Sequence, residues 1–284
     1  MTDKIIALVD GSIYSESVCH HAAWIAQRTQ APVELIHVLG RREAPEKVDL
    51  SGAIRLGART RLMEELAELD AQRAKLISRR GRAILEDARA IVDRDGVREV
   101  TTRLRHGDIV EAIAEVEGEA RVIVIGKRGE AADFAKGHLG SNLERIVRAA
   151  HRPVFVAARA FKPIESVLIA YDGSRAARKA VEHVARSSFF RDLPVTIVTV
   201  GAETDETRKR LADAKATLAA AGIMAETRIV PGQPEVELGK MVDREGFGML
   251  VMGAYGHSRI RSLVIGSTTT EMMRSCKVPV LLLR

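Results

Sequence analysis

Two cysteines in 284 residues, Cys19 and Cys276, are too few and too far apart for a disulfide framework or a zinc site. Their sparse use fits a reducing, cytoplasmic setting. Long apolar runs are missing too: nothing approaches the roughly 20 residues that span a bilayer. The N-terminus offers only Ile5–Val9 behind one lysine, too short a stretch for a secretory signal and better used as a strand. Aromatics are scarce, with one Trp, three Tyr and six Phe, and the net charge of +6 comes from bases interleaved with acids. A membrane partner is therefore not expected, and nucleic acid is an improbable one, since there is little to stack on bases and no basic stripe to follow phosphates. Two nucleotide fingerprints are absent. No Gly-x-Gly-x-x-Gly occurs, and Gly239-Lys240 is followed by Met241, which excludes a Walker loop.

What is present is an ordinary globular composition, 46% hydrophobic and 29% charged, long enough for two domains with cores of their own. It is also a repeat. Residues 5–12 read Ile-Ile-Ala-Leu-Val-Asp-Gly-Ser and residues 167–174 read Val-Leu-Ile-Ala-Tyr-Asp-Gly-Ser, an offset of 162 that also aligns Pro32-Val33 with Pro194-Val195. Farther on, Gly126-Lys-Arg-Gly129 answers Gly253-Ala-Tyr-Gly256, and Gly140-Ser141 answers Gly266-Ser267. Each copy closes on a Pro-led strand, Pro153-Val-Phe-Val and Pro279-Val-Leu-Leu. A unit of roughly 140 residues is too long for a solenoid, whose periods run about 20–50. The expected organisation is two domains, 1–160 and 161–284, meeting near Arg159–Pro163.

Both copies alternate Val/Ile/Leu runs with helical patterns, which predicts α/β architecture: two tandem, doubly wound, five-stranded parallel sheets. Strands are expected at 4–9, 33–38, 98–104, 121–125 and 153–158, then at 166–171, 195–200, 225–230, 248–252 and 279–283. Helices are expected at 14–29, 108–117 and 141–150, then at 174–188, 204–221, 234–245 and 267–275. The first copy carries an insertion, about 41–96. Within it, Leu62, Leu66, Leu69, Leu76, Ile84 and Ile91 recur close to three-four spacing, which predicts a charged amphipathic helix over 58–95. Unbroken, it would be roughly 55 Å long at about 1.5 Å per residue, so that it overhangs the domain. Gly81 is a candidate break. The overhang either lies solvated or meets a partner or a second copy of the chain.

In a doubly wound sheet, ligands bind beyond the carboxyl ends of the strands, where strand order reverses. Three segments of the second copy converge there. Asp172 follows the first strand and can accept hydrogen bonds from sugar hydroxyls or a base. Gly253 and Gly256 follow the fourth strand and let backbone approach a ligand. Gly266-Ser267-Thr268-Thr269 opens the next helix, whose free amides and dipole suit phosphate. His257, Arg259 and Arg261 lie in the intervening loop and can add positive charge.

The combination of Asp after strand one with Gly-x2-Gly-x9-Gly-Ser/Thr resembles the nucleotide-binding signature of the universal stress protein family, and the resemblance covers both copies. It implies an adenine-nucleotide α-hydrolase-like fold and ATP as ligand, with magnesium accompanying the phosphates. In ATP-binding members the end of the second strand meets adenine, which implies Val200. The aspartate and first glycine serve the nucleoside, implying Asp172 and Gly253. The second glycine and following turn hold phosphates, implying Gly256, Gly266, Ser267, Thr268 and Thr269. The corresponding first-copy residues are Asp10, Val38, Gly126, Gly129, Gly140 and Ser141. There, ten residues rather than nine separate the second and third glycines, Glu130 and Asp133 would repel phosphate with Lys127 and Arg128 partly offsetting them, and Leu143 replaces Thr269. The second copy is therefore expected to be the main site. The resemblance further implies pairing of the last strands, Pro153–Ala158 with Pro279–Leu283.

The function so implied is that of a stress-response nucleotide sensor with slow or no hydrolysis. No residue is assigned a catalytic role and none a metal. An unidentified protein partner and a homodimer are the expected macromolecular contacts. Two alternatives stay open: an interaction module for another small molecule or lipid, and an adenylating or ATP-pyrophosphatase-type enzyme. The Asp-Gly-Ser turn argues against the latter. His21 and His183 align in the first helices and read as surface or packing residues, His37 as structural, and adjacent His20 and His21 point in different directions, which disfavours a shared metal. Cys276 reads as a buried small residue.

Overall fold

A computed structural model describes residues 3–40, 56–129, 140–254 and 266–284, with backbone alone for 56–61. The first half runs β1 (Lys4–Leu8), α1 (Ser15–Thr29), β2 (Val33–Leu39), α2 (Leu56–Arg94), β3 (Val100–His106), α3 (Ile109–Val116), β4 (Ala120–Gly126), α4 (Ser141–Ala149) and β5 (Val154–Ala157). The second runs β6 (Val167–Ala170), α5 (Arg175–Arg186), β7 (Val195–Val200), α6 (Asp205–Ala220), β8 (Ala225–Val230), α7 (Pro234–Glu245), β9 (Met249–Gly253), α8 (Ser267–Ser275) and β10 (Val280–Leu283). Every expected strand and helix among the described residues is present, with ends shifted by one or two residues. Segment 41–55 lies outside the described residues.

The two five-stranded parallel sets join into one ten-stranded sheet, in the order β3-β2-β1-β4-β5-β10-β9-β6-β7-β8. The join is the single antiparallel pair, with Leu281 opposite Phe155 and Val280 opposite Val156. The last strands thus pair within one chain. Because successive strand residues face opposite ways, Ile5, Ala7, Val167 and Ile169 belong to the apolar layer that holds α1, α2, α5 and α6, whereas Ile6, Leu8 and Leu168 belong to the layer that holds α3, α4, α7 and α8. Each of these two apolar layers runs through both halves. The cores are shared across the join rather than closed off within each half, because β5 and β10 carry Phe155 and Leu281 directly against one another.

Helix α2 is one unbroken helix of 39 residues, about 58 Å long. Gly81 does not interrupt it. A Cβ there would lie 2.8 Å from Leu104 Cδ1 and 2.9 Å from His37 Cδ2, so the glycine serves the close approach of helix to sheet. From Gly81 onward, Leu85, Ala88 and Val92 are buried against α1, β2 and β3. Before it, the described side chains are partly or fully exposed.

Candidate functional site

Strand order reverses beside β1 and β4 in the first half and beside β6 and β9 in the second. A cavity opens at the carboxyl ends at each place. The second measures about 240 Å³ and brings together Asp172, Val200, Gly253, Gly266, Ser267, Thr268 and Thr269. Its remaining wall includes the apolar Val198, Leu238 and Met252. Gly256, His257, Arg259 and Arg261 lie outside the described residues.

Asp172 is exposed at the rim, and its Oδ1 accepts the Ser174 amide at 2.9 Å. The turn between them needs Gly173, whose φ is +73°, a region that costs other residues a steric penalty. The Ser174 hydroxyl then caps α5 by accepting the Ala177 amide. Helix α8 opens differently. Its N-cap is Gly266, which has no side chain to take up the first amides, and the turn faces the cavity with the hydroxyl side chains of Ser267 and Thr268 beside it. A helix start left uncapped in this way is suited to an anion. Thr269 is buried, with its hydroxyl donating to the Gly253 carbonyl at 3.2 Å, which ties the helix to the end of β9.

Gly253 has a packing reason besides ligand access. A Cβ there would lie 2.7 Å from Ala176 Cβ and 3.0 Å from the Ala177 nitrogen. Gly126 has the same role in the first half, where the clash would be with Tyr14 Cβ at 2.7 Å. These glycines let the first turn of α1 or α5 rest on the neighbouring strand.

The first cavity is smaller, about 70 Å³. It collects Asp10, Val38, Gly126, Gly129 and Gly140 together with Arg128, but not Ser141, which is exposed on α4. Two bulkier side chains line it. Tyr14 stands where the second half has Ala176, and His37 stands where it has Thr199. His37 Nδ1 lies 2.7 Å from the Val9 carbonyl, and Thr199 donates to the matching Tyr171 carbonyl at 2.6 Å, so both residues do the same structural work with different bulk. Leu143 replaces Thr269 in the wall. The unequal glycine spacing leaves the ends of the two loops held alike: Gly140 N–H bonds the Lys127 carbonyl, and Gly266 N–H bonds the Ala254 carbonyl. Glu130 and Asp133 lie outside the described residues.

Lys127 does not line the first cavity. Its side chain is buried, and its ammonium donates to the Cys276 carbonyl, away from the cavity. Desolvation pushes its pKa below the ordinary lysine value. Cys276 is buried as well. His21 is fully buried, with Nδ1 2.7 Å from the Ser17 carbonyl and the ring packed on Phe155 and Phe161. His20 pairs with Asp95 at 2.6 Å. Among the described residues, no three His, Cys, Asp or Glu side chains cluster as a metal site, and no helix is long and apolar enough to cross a membrane.

A larger concavity, about 1060 Å³, lies at the opposite ends of β6, β7 and β8, lined by Ser166, Val195 and Ala225. It is an open trough at the amino ends of the strands, where neither the glycine turns nor the start of α8 reaches. The chemistry gathers instead at the smaller cavity.

Residues 1–158 and 201–284 match the Universal stress protein family. The chain is also 36% identical over 285 residues to a universal stress protein of Synechocystis, covering 99% of each. This chain belongs to the universal stress protein family. A second relative, from Mycolicibacterium smegmatis, is 22% identical over 300 residues, covering 99% of this chain and 96% of its own. Among solved structures, a universal stress protein from Archaeoglobus fulgidus superposes with a TM-score of 0.75 at 19% identity, covering 100% of this chain and 99% of its own, a likeness of fold.

In this universal stress protein, sequence reasoning did not name Val198, Pro234, Leu238 or Met252 as wall residues. A signal existed for one of them. Val198 precedes Val200 by two, so both face the same side of β7. Leu238 and Met252 reach the cavity only through how α7 and β9 pack, which local pattern does not encode.

Proposed function

We propose that the chain binds adenine nucleotide, ATP, in its second half and acts as a cytoplasmic stress-response sensor rather than as an enzyme. The observation that carries this reading is the meeting, in one cavity, of an acceptor carboxylate (Asp172), an apolar wall at the end of β7 (Val198, Val200) and an uncapped helix start flanked by hydroxyls (Gly266–Thr268). These three surfaces match sugar hydroxyls, a flat base and phosphate oxygens in turn. Magnesium would enter with the triphosphate, held mainly by the phosphates. The first half is the weaker site, because Tyr14 and His37 narrow it. Fast phosphoryl transfer needs a positioned nucleophile and cations that meet the transition state together, and no such set is assembled among the described residues.

The test is calorimetric titration of the intact chain with ATP and magnesium, beside Gly266→Val. A branched side chain at the turn hinders approach to the amides, and Gly266 has φ −60° and ψ 147°, which valine adopts readily. The variant should stay folded and lose at least about tenfold in affinity. Unchanged affinity in a folded variant removes the phosphate turn from the site. Single-turnover hydrolysis above about 1 s⁻¹, abolished in the same variant, would replace the sensor reading with an ATPase.

A further inference from the structure

Helix α2 has two unlike halves. From Leu62 to Gln72 it carries four acids and no base, and from Arg73 to Arg82 five bases and no acid. Among the described residues, Glu64, Glu65, Glu68, Asp70, Arg73, Lys75 and Arg79 form no ion pair. Along the same stretch run Met63, Leu69 and Leu76, exposed by 48%, 60% and 62%, beside the partly exposed Leu66 and Ile77. A single exposed leucine needs no explanation. A row of them does, because Leu62, Leu66, Leu69 and Leu76 sit at alternating four- and three-residue steps, with Arg73 at the step between the last two, and such a seam is the pattern that faces a second helix. This seam lies about a quarter-turn from the Gly81–Val92 face that packs on the sheet, so the molecule's own body does not cover it.

We infer that this segment of α2 is a self-association surface: residues 62–80 pair with the same residues of a second copy, antiparallel about a two-fold axis. The charge order decides the direction. Parallel pairing would set acid on acid and base on base, whereas antiparallel pairing sets the acidic half of each helix on the basic half of the other. In that register Leu66 faces Leu76 of the second copy, Leu69 faces Arg73, Met63 faces Ile77 and Glu65 faces Arg79, and Asp70, near the two-fold axis, lies within reach of Arg73. Two-fold symmetry makes every contact twice. The overlap is about 28 Å long. The strand edges through which two separate domains could join are consumed within the chain by β5 and β10, so that join is not open to a second copy.

Sedimentation equilibrium on the full chain tests this, over protein concentrations up to about 100 μM. The wild type is expected to approach twice its 31.0 kDa mass. Leu69→Lys, which sets like charge against Arg73 of the second copy, with Leu76→Glu should be monomeric with unchanged circular dichroism, since both side chains are exposed. Glu65→Arg alone and Arg79→Glu alone should each weaken association about tenfold, because each alters two contacts. Together they should restore it. A wild type that stays monomeric throughout overturns the inference, whether another protein or the chain's own segment 41–55 covers the seam. So does a dimer indifferent to the leucine changes, or a double charge variant weaker than either single one.

Discussion

The ammonium of Lys127, in the turn that leaves β4, donates a hydrogen bond to the carbonyl of Cys276 at the far end of α8. The first half's glycine loop is thereby tied to the helix whose opposite end is the proposed phosphate turn of the second half. The position is electrostatically apt, since a helix C-terminus carries partial negative charge. It is also costly, since the ammonium is desolvated.

Which of those effects wins is measurable. A hydrogen bond to a charged donor contributes about 1.5–3 kcal/mol, and the burial cost takes back part of it. Lys127→Met keeps the aliphatic stem and should lower stability by about 1 kcal/mol in urea unfolding, with faster amide exchange at Met272–Cys276. A more stable variant would mean that burying the charge outweighs the bond.

Asp172 has a turn role and a proposed ligand role, and two substitutions separate them. Asp172→Asn keeps an oxygen for the Ser174 amide but removes the charge. Asp172→Ala removes both and should weaken adenosine and ATP alike, by roughly ten- to hundredfold. The asparagine variant should lie between alanine and wild type in calorimetry. Loss of ATP binding with adenosine binding untouched would put Asp172 at the phosphates or a metal.

The narrow first cavity predicts a gain of function. Tyr14→Ala copies the second half's Ala176, and in a Gly266→Val background it isolates the first site. ATP binding should appear there, at least about tenfold tighter than without the tyrosine change. No binding near 1 mM, a dissociation constant worth only about 4 kcal/mol, would assign the exclusion to the loop acids Glu130 and Asp133 instead of the ring.

His21 sets a pH dependence. Desolvation pulls its pKa down to about 4 from 6.5, so the folded chain keeps it neutral where the unfolded chain takes up a proton. Above pH 6.5 both states are neutral and nothing is lost. Stability then falls as pH drops from 6.5 toward 4, by roughly 3 kcal/mol for this one group. His183, lowered likewise to about 4, adds in the same direction. In urea unfolding across that range, His21→Met should give a shallower decline than wild type. Parallel profiles would show that His21 titrates normally.

The sequence by itself determined the elements, the repeat and half of the second cavity's wall. Those features are local or periodic: alternating apolar runs mark buried strands, three-four spacing marks helices, and Asp-Gly-Ser and Gly-Ser turns sit where a strand gives way to a helix. The internal repeat then aligned Asp172 with Asp10 and Gly253 with Gly126 without knowledge of contacts. Tertiary structure alone decided the rest. Gly81 reads as a break in isolation, yet it is the point where a long helix can touch Leu104 and His37. Lys127 reads as a loop cation, yet its partner is a carbonyl 149 residues away. Tyr14 is silent in the sequence, although its ring narrows the first site. In each case the deciding neighbour comes from a distant segment, and packing, which local pattern cannot encode, selects what a side chain meets.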